Sequence, residues 1–210
     1  MSNLSRVVLV ALLGALLQTQ AANATPVISE VLYDAVGADN GFVFVELYGT
    51  PGDTLSGLSL QGIKGSTGVA YITLNLSGTF NANGVFVVAD SRGEGISKVS
   101  NADLILNFDL QNGPDSVQLK SGGSVIDALG YGVFGAGTFF AGEGASAPGA
   151  APGQTVARRY ADIDTNDNAA DFIVQSMPTP GQAFVAPLPA SLWLLMSGLL
   201  GTVAVSRRRA

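Results

Sequence analysis

From Val27 to Gln175 the sequence keeps the period of a β-strand and never sustains that of a helix. Apolar and polar residues alternate over short runs: Val27–Tyr33, Val43–Tyr48, Leu58–Ile63, Ala70–Leu76, Val85–Asp90, Leu104–Phe108, Ser116–Lys120, Val125–Gly130, Thr155–Tyr160 and Phe172–Gln175. Alternation sends successive side chains to opposite faces of a pleat, so each run can bury one face against a partner. Between the runs stand residues that reverse a chain: Gly37 to Gly41, Pro51-Gly52-Asp53, Asn81 to Gly84, Asn112-Gly113-Pro114 and Gly122-Gly123. Gly admits positive φ, Pro fixes φ, and Asn and Asp bond their own backbone. Many short strands with turns at close intervals predict an all-β protein built as a β-sandwich. No helix is expected between the two ends, and no repeat of fixed period is visible.

The residue inventory removes several chemistries. The chain has no cysteine, hence no disulfide, no thiol nucleophile and no thiolate metal site. It has no histidine, which removes the commonest general base and the commonest metal ligand. Zinc hydrolysis, Ser-His-Asp catalysis and His-dependent nuclease chemistry are disfavoured, and no G-x-S-x-G elbow is present. All sixteen acidic residues lie between Glu30 and Asp171, where only six of the ten basic residues accompany them. Such a body repels phosphate backbones, so no nucleic-acid partner is expected.

The two ends read as addresses rather than structure. Residues 1–24 carry the three parts of a secretory signal helix. Arg6 supplies charge, Val7 to Leu17 is an apolar run too short to span a bilayer, and Ala22-Asn23-Ala24 offers small residues at −3 and −1. Cleavage is expected after Ala24, with Sec-type export machinery and a signal peptidase as partners. At the other end, residues 186–210 read APLPASLWLLMSGLLGTVAVSRRRA. Pro187 and Pro189 break regular structure, and residues 190–205 hold no charge. Counted from Pro187 to Val205 the stretch is nineteen residues, roughly 28 Å as a helix, which matches a hydrocarbon core. Arg207, Arg208 and Arg209 close it, and basic clusters stay on the cytoplasmic side. A transmembrane helix at 190–205, with the body outside, follows.

This tail resembles the PEP-CTERM sorting signals in their VPLPA-like variant, through Pro187-Leu188-Pro189, the apolar residues 190–205 and Arg207 to Arg209. Ala186 stands where the variant usually has Val, and Leu188 where the parent motif has Glu. The resemblance implies recognition in the inner membrane of a Gram-negative bacterium by an exosortase-type transpeptidase. Cleavage near the Pro-x-Pro motif would then release the body to the cell surface or the extracellular space. Hydropathy alone leaves open a tail retained as a permanent anchor.

The body, 25–183, carries a second resemblance. Val27 to Asp34, Phe44-Val45-Glu46-Leu47-Tyr48 and Leu55 to Leu60 look like the opening of a lamin-tail domain. Gly84 to Ala89, Asp115 to Leu119, Val125-Ile126-Asp127 and Tyr131-Gly132 continue the pattern in order. Ala157-Arg158-Arg159, Asp164 to Phe172 and Thr179-Pro180-Gly181 resemble its closing segment. Leu58 stands where a Trp is common, Gly49 where an Asn often follows the Glu-Leu strand, and the usual Asn soon after Thr-Pro-Gly is missing. The resemblance implies an immunoglobulin-like β-sandwich of the lamin-tail type, found in bacteria in secreted and surface proteins.

Four features invite a functional role. Asp162, Asp164, Asn166, Asn168 and Asp171 place oxygens in the manner of a calcium loop. The EF-hand pattern fails, however, since Asp167 stands where Gly is needed and Ile173 where a bidentate Glu is needed. Asx turns before the last strand are the competing expectation. Glu30 and Glu46 form a carboxylate pair on adjacent strands, expected to face solvent rather than to do acid–base work. Arg158 and Arg159 face opposite ways on a strand, so a surface salt bridge is expected. The Gly/Ala/Pro-rich segment 135–153, with Phe139 and Phe140, reads as a mobile loop, expected to be a solvated insertion rather than a binding loop, though its paired phenylalanines make it the favoured binding face if the domain has one. No catalytic residue and no cofactor is expected, calcium being the alternative. The expected protein is an exported, non-catalytic surface or matrix module that mediates adhesion or protein or polysaccharide interaction. A calcium-dependent carbohydrate or matrix binder and a secreted hydrolase are the rivals.

Overall fold

The computed structural model describes residues 25–187. The expected signal segment 1–24 and the apolar segment 190–205 with its arginines lie outside the described residues. Ten strands follow in order: β1 Val27–Leu32, β2 Phe44–Tyr48, β3 Leu58–Lys64, β4 Ala70–Asn75, β5 Val85–Asp90, β6 Leu104–Leu106, β7 Asp115–Ser121, β8 Ser124–Tyr131, β9 Thr155–Arg158 and β10 Phe172–Gln175. Each alternating run of the sequence forms one of them. The run from Leu104 stops early because the Asp90 carboxylate takes the Phe108 N–H at 3.0 Å, out of any ladder. One helical turn, α1 Asn168–Asp171, stands where no helix was expected. It is local capping: Asp167 accepts the Ala169 N–H, the usual device for starting a helix.

The strands form two sheets, in the orders β10-β9-β1-β2-β5-β6 and β4-β3-β7-β8. All neighbours run antiparallel except β5 and β6, which are parallel. The sheets share one core. Ile28, Val31, Val45, Leu47, Phe86 and Val88 of the first meet Leu60, Val117, Leu119 and Leu129 of the second. Tyr33 and Tyr131 stack across this core with centroids 4.2 Å apart.

The six-stranded sheet is covered on its other face as well. Leu32, Phe44, Val85, Val87 and Ala89 form a second cluster there, sheltered by Tyr48, Val99, Ala102 and Ala183. This explains why Val85 to Ala89 is a continuous apolar run, as befits a strand with no wet face. Ala183 belongs to a strap, residues 176–187, that follows β10 and returns over this outer face.

The Gly/Ala-rich segment 135–153 carries no named strand, as a loop should, but it does not stand off from the domain. Phe139 N–H bonds the Gly65 carbonyl at 2.7 Å, Ala147 N–H the Gly130 carbonyl at 2.8 Å, and Gly153 N–H the Asp34 carbonyl at 2.7 Å. Ala141 N–H reaches Ser116 Oγ at 3.2 Å. The small residues serve close approach: a Cβ on Gly142 would lie 2.4 Å from the Gly130 nitrogen. Phe140 leans on Gly130 and meets the Phe134 ring edge-on. Phe139 keeps about half its surface in solvent.

Candidate functional site

The chemistry-bearing side chains gather at two places, and the closing segment of the chain takes part in both. The first centres on Arg158 of β9. Strand alternation puts Arg159 in solvent and turns Arg158 inward, where it is buried rather than placed in the expected surface salt bridge. Its Nη2 donates to both oxygens of Asp127 in β8, at 2.9 and 3.2 Å. Its Nη1 donates to Asp171 at 3.0 Å and Asp164 at 3.1 Å, and its Nε to the Ile28 carbonyl at 3.0 Å. The guanidinium also lies 4.6 Å from the Phe172 ring centroid. A planar fork with five N–H donors suits such convergence. Burial raises the Asp127 carboxyl, against the pull of Arg158 and of the Ile28 N–H.

The five oxygen-bearing residues considered for calcium do not converge. Asp162 accepts the Ala186 N–H at 2.7 Å. Asn166 has φ of 55°, and its N–H bonds Asp164 at 3.1 Å in a turn. Asn168 accepts from Gly130 and Glu143 N–H and donates to the Ala128 carbonyl. Asp171 takes Thr165 N–H and Oγ1–H besides Arg158. A different trio comes together: carboxylate oxygens of Asp127, Glu143 and Asp164 lie within 4.8 Å of one another. Only Asp164 belongs to both sets. Glu143 Oε2 is buried without a partner, and its pKa is pushed up to about 7 by burial and then by Asp127 and Asp164. The positive charge beside this trio is already supplied by Arg158. The sequence reading missed Asp127 and Glu143. A signal for Asp127 was present, since a lone carboxylate inside Val125-Ile126-Asp127-Ala128-Leu129 occupies a strand with little surface to spare.

The second place is the carboxylate pair. Glu30 and Glu46 do sit side by side as a cross-strand pair. They are buried, however, not solvent-facing, because the strap covers the outer face of the sheet above them. Glu30 accepts the Thr179 N–H at 2.9 Å and its hydroxyl at 2.8 Å. Glu46 accepts the Gly181 N–H at 2.7 Å and the Ser29 hydroxyl at 2.7 Å. The Thr179-Pro180-Gly181 segment is therefore latched by two carboxylates, which leaves little room for substrate. Burial pushes the Glu46 pKa up to about 7, with hydrogen bonds from Ser29 and Gly181 opposing and Glu30 adding to the rise.

Away from these, an open groove of about 490 Å³ lies beside edge strand β6, lined by Asn40, Ser91, Arg92, Glu94, Leu106 and Asn107 among others. Of the sorting-signal residues only Pro187 is described; Leu188, Pro189, Arg207, Arg208 and Arg209 lie outside, as do Ala22 and Ala24. Among the described residues no helix is long and apolar enough to cross a membrane. No protein-family model matches the sequence, and no curated protein matches it.

Two outcomes follow from these geometries. Arg158→Met strands Asp127 and Asp171 without their cation, and losing one partner of a buried ion pair costs about 3–5 kcal/mol. Denaturant melting should show that loss, and adding Asp127→Asn should recover part of it. Glu46, with a raised pKa, favours the fold most when protonated. Its contribution is whole below about pH 4.5 and is lost as pH rises through about 7, up to about 3 kcal/mol at 1.4 kcal/mol per pKa unit. The wild type should melt lower at pH 8 than at pH 5, and Glu46→Gln should flatten that slope.

Proposed function

We propose that this is an exported, non-catalytic module of the bacterial surface or extracellular matrix, an immunoglobulin-like sandwich of lamin-tail type. It is delivered through a secretory signal and a PEP-CTERM-like tail. The observation that carries the reading is the order of parts. A three-part signal precedes the two-sheet body, and Pro187-Leu188-Pro189, an uncharged apolar stretch and three arginines follow it. Between the two addresses the strands run from β1 at Val27 to β10 at Gln175. The fold supports display rather than catalysis in one further way. Its buried acids and its buried arginine are engaged in holding segments of the chain to one another, not gathered in an open cleft. Binding is then left to loops and edges, such as the groove beside β6 and the half-exposed Phe139.

A calcium-dependent binder is the second reading, favoured by the Asp127, Glu143 and Asp164 cluster. The charge of Arg158 within that cluster opposes it. Millimolar calcium should leave the melting temperature unchanged. A rise that Glu143→Gln abolishes would decide for the calcium reading.

The leading reading is tested by intact mass of the protein recovered from the surface and supernatant of its native host. The expected mass begins at Thr25 and ends near residues 187–189. A mass that runs through Arg209 in the membrane fraction would make the protein a tethered one and would remove the sorting-signal half of the proposal.

A further inference from the structure

Exposed apolar side chains are scattered over the domain, but four collect where the described chain leaves it. Tyr160, Ile163, Phe184 and Val185 are 38%, 41%, 54% and 50% exposed. They lie on two segments held side by side: Ala161 N–H bonds the Phe184 carbonyl at 2.6 Å, and Ala186 N–H bonds Asp162 at 2.7 Å. Ile163 N–H closes back on the Tyr160 carbonyl at 3.0 Å, which keeps the pair on one turn.

The strap that carries Phe184 and Val185 is not a loose linker. It is fastened at Thr179 and Gly181 by the buried glutamates and at Phe184 and Ala186 by the Tyr160 turn. Fixed backbone therefore runs up to Ala186. The uncharged apolar run begins at Ala190. Four residues of extended chain reach at most about 14 Å, and the headgroup zone on each side of the hydrocarbon core is itself roughly 5–8 Å deep. A span that begins at Ala190 thus brings Ala186 into the headgroups or directly beside them, with no spacer to hold the body away.

We propose that the corner of the domain where these two segments meet, with Tyr160, Ile163, Phe184 and Val185 exposed on it, docks on the surface of the bilayer that the chain's own residues 190–205 enter. The inference rests on the reading of that segment as a membrane span. Aromatic and aliphatic side chains at headgroup level gain by leaving water. The two acids within the turn are engaged, Asp162 by the Ala186 N–H and Asp164 by Arg158. The acidic excess elsewhere on the body makes a zwitterionic surface the fitting partner. Until the tail is cut, the sandwich stands on this corner.

The chain contains no cysteine and a single tryptophan, Trp193, inside the apolar run. Single variants Ile163→Cys and Val185→Cys therefore accept one environment-sensitive dye each, and Val69→Cys, in the β3–β4 turn of the other sheet, is the control. The full chain is reconstituted in phosphatidylcholine vesicles, with and without brominated acyl chains. The expected result is a blue shift and bromine quenching at positions 163 and 185, none at 69, and quenching of Trp193. Quenched Trp193 with water-like, unquenched dyes at 163 and 185 overturns the docking face and leaves the membrane span standing. Dyes already blue-shifted without lipid and untouched by bromine mean that protein covers the face, and this also overturns it. Unquenched Trp193 removes the span, and the docking face with it.

Discussion

The Arg158 guanidinium joins parts of the chain that are remote in sequence, and much of the fold is arranged to satisfy it. Through Asp127 it grips β8 of the four-stranded sheet; through the Ile28 carbonyl and its own strand it grips the six-stranded sheet. Taking a guanidinium and carboxylates out of water is expensive, and only dense hydrogen bonding offsets it. The partners are therefore held in turn. Asp171 is fixed by Thr165 at the end of α1. Asn168, one turn earlier, spreads its amide over Ala128, Gly130 and Glu143. The closing segment, β8 and the middle of the Gly/Ala-rich loop thus form one hydrogen-bonded unit around a single charge.

The strands were legible because alternation is a local property: a residue and its neighbours decide it. What covers each face is not local. Glu46 shares the outer face of β2 with Phe44 and Tyr48, and a carboxylate there reads as solvent-facing when its strand is taken alone. The strap that seals it comes from 135 residues further along, at Gly181. One clue lay on the neighbouring strand. Val87 pairs with Glu46 in register, and the unbroken apolar run Val85 to Ala89 requires both faces of β5 to be dry. Read together, they place Glu46 under cover before any contact is known.

The packing of the Gly/Ala-rich segment is hidden for a related reason. Absence of bulky side chains suggests absence of anything to pack, hence a mobile insertion. Smallness serves instead to let backbone lie on backbone, as at Gly142 against Gly130 and Gly144 against Asp167. Composition reports how much apolar surface a segment offers, not how closely it is approached. The hydrogen bonds that hold such a segment run from its main chain, and main chain carries no signature in the sequence.

The acidic bias of the body takes on a different meaning once the fold is known. Glu30, Glu46, Asp90, Asp115, Asp127 and Asp171 are buried, while Arg158 is the buried base among the described residues. The surface keeps an acidic excess, though a smaller one than the composition suggests. Buried or not, many of the domain's carboxylates share one task, which is to accept main-chain N–H groups that no ladder uses. Asp90 takes Gly41 and Phe108, Asp115 takes Gly65, Asp103 takes Val87, Asp39 takes Ala35, and Asp167 takes Ala145 and Ala169. A domain of short strands and many turns exposes a large number of such donors, and an unpaired buried N–H is costly. An ionised carboxylate only accepts, with several lone pairs on a short stem, whereas lysine and arginine only donate and compete with the amides. The excess of acids over bases is thus a consequence of the turn-rich architecture, and not in itself evidence for a cationic ligand.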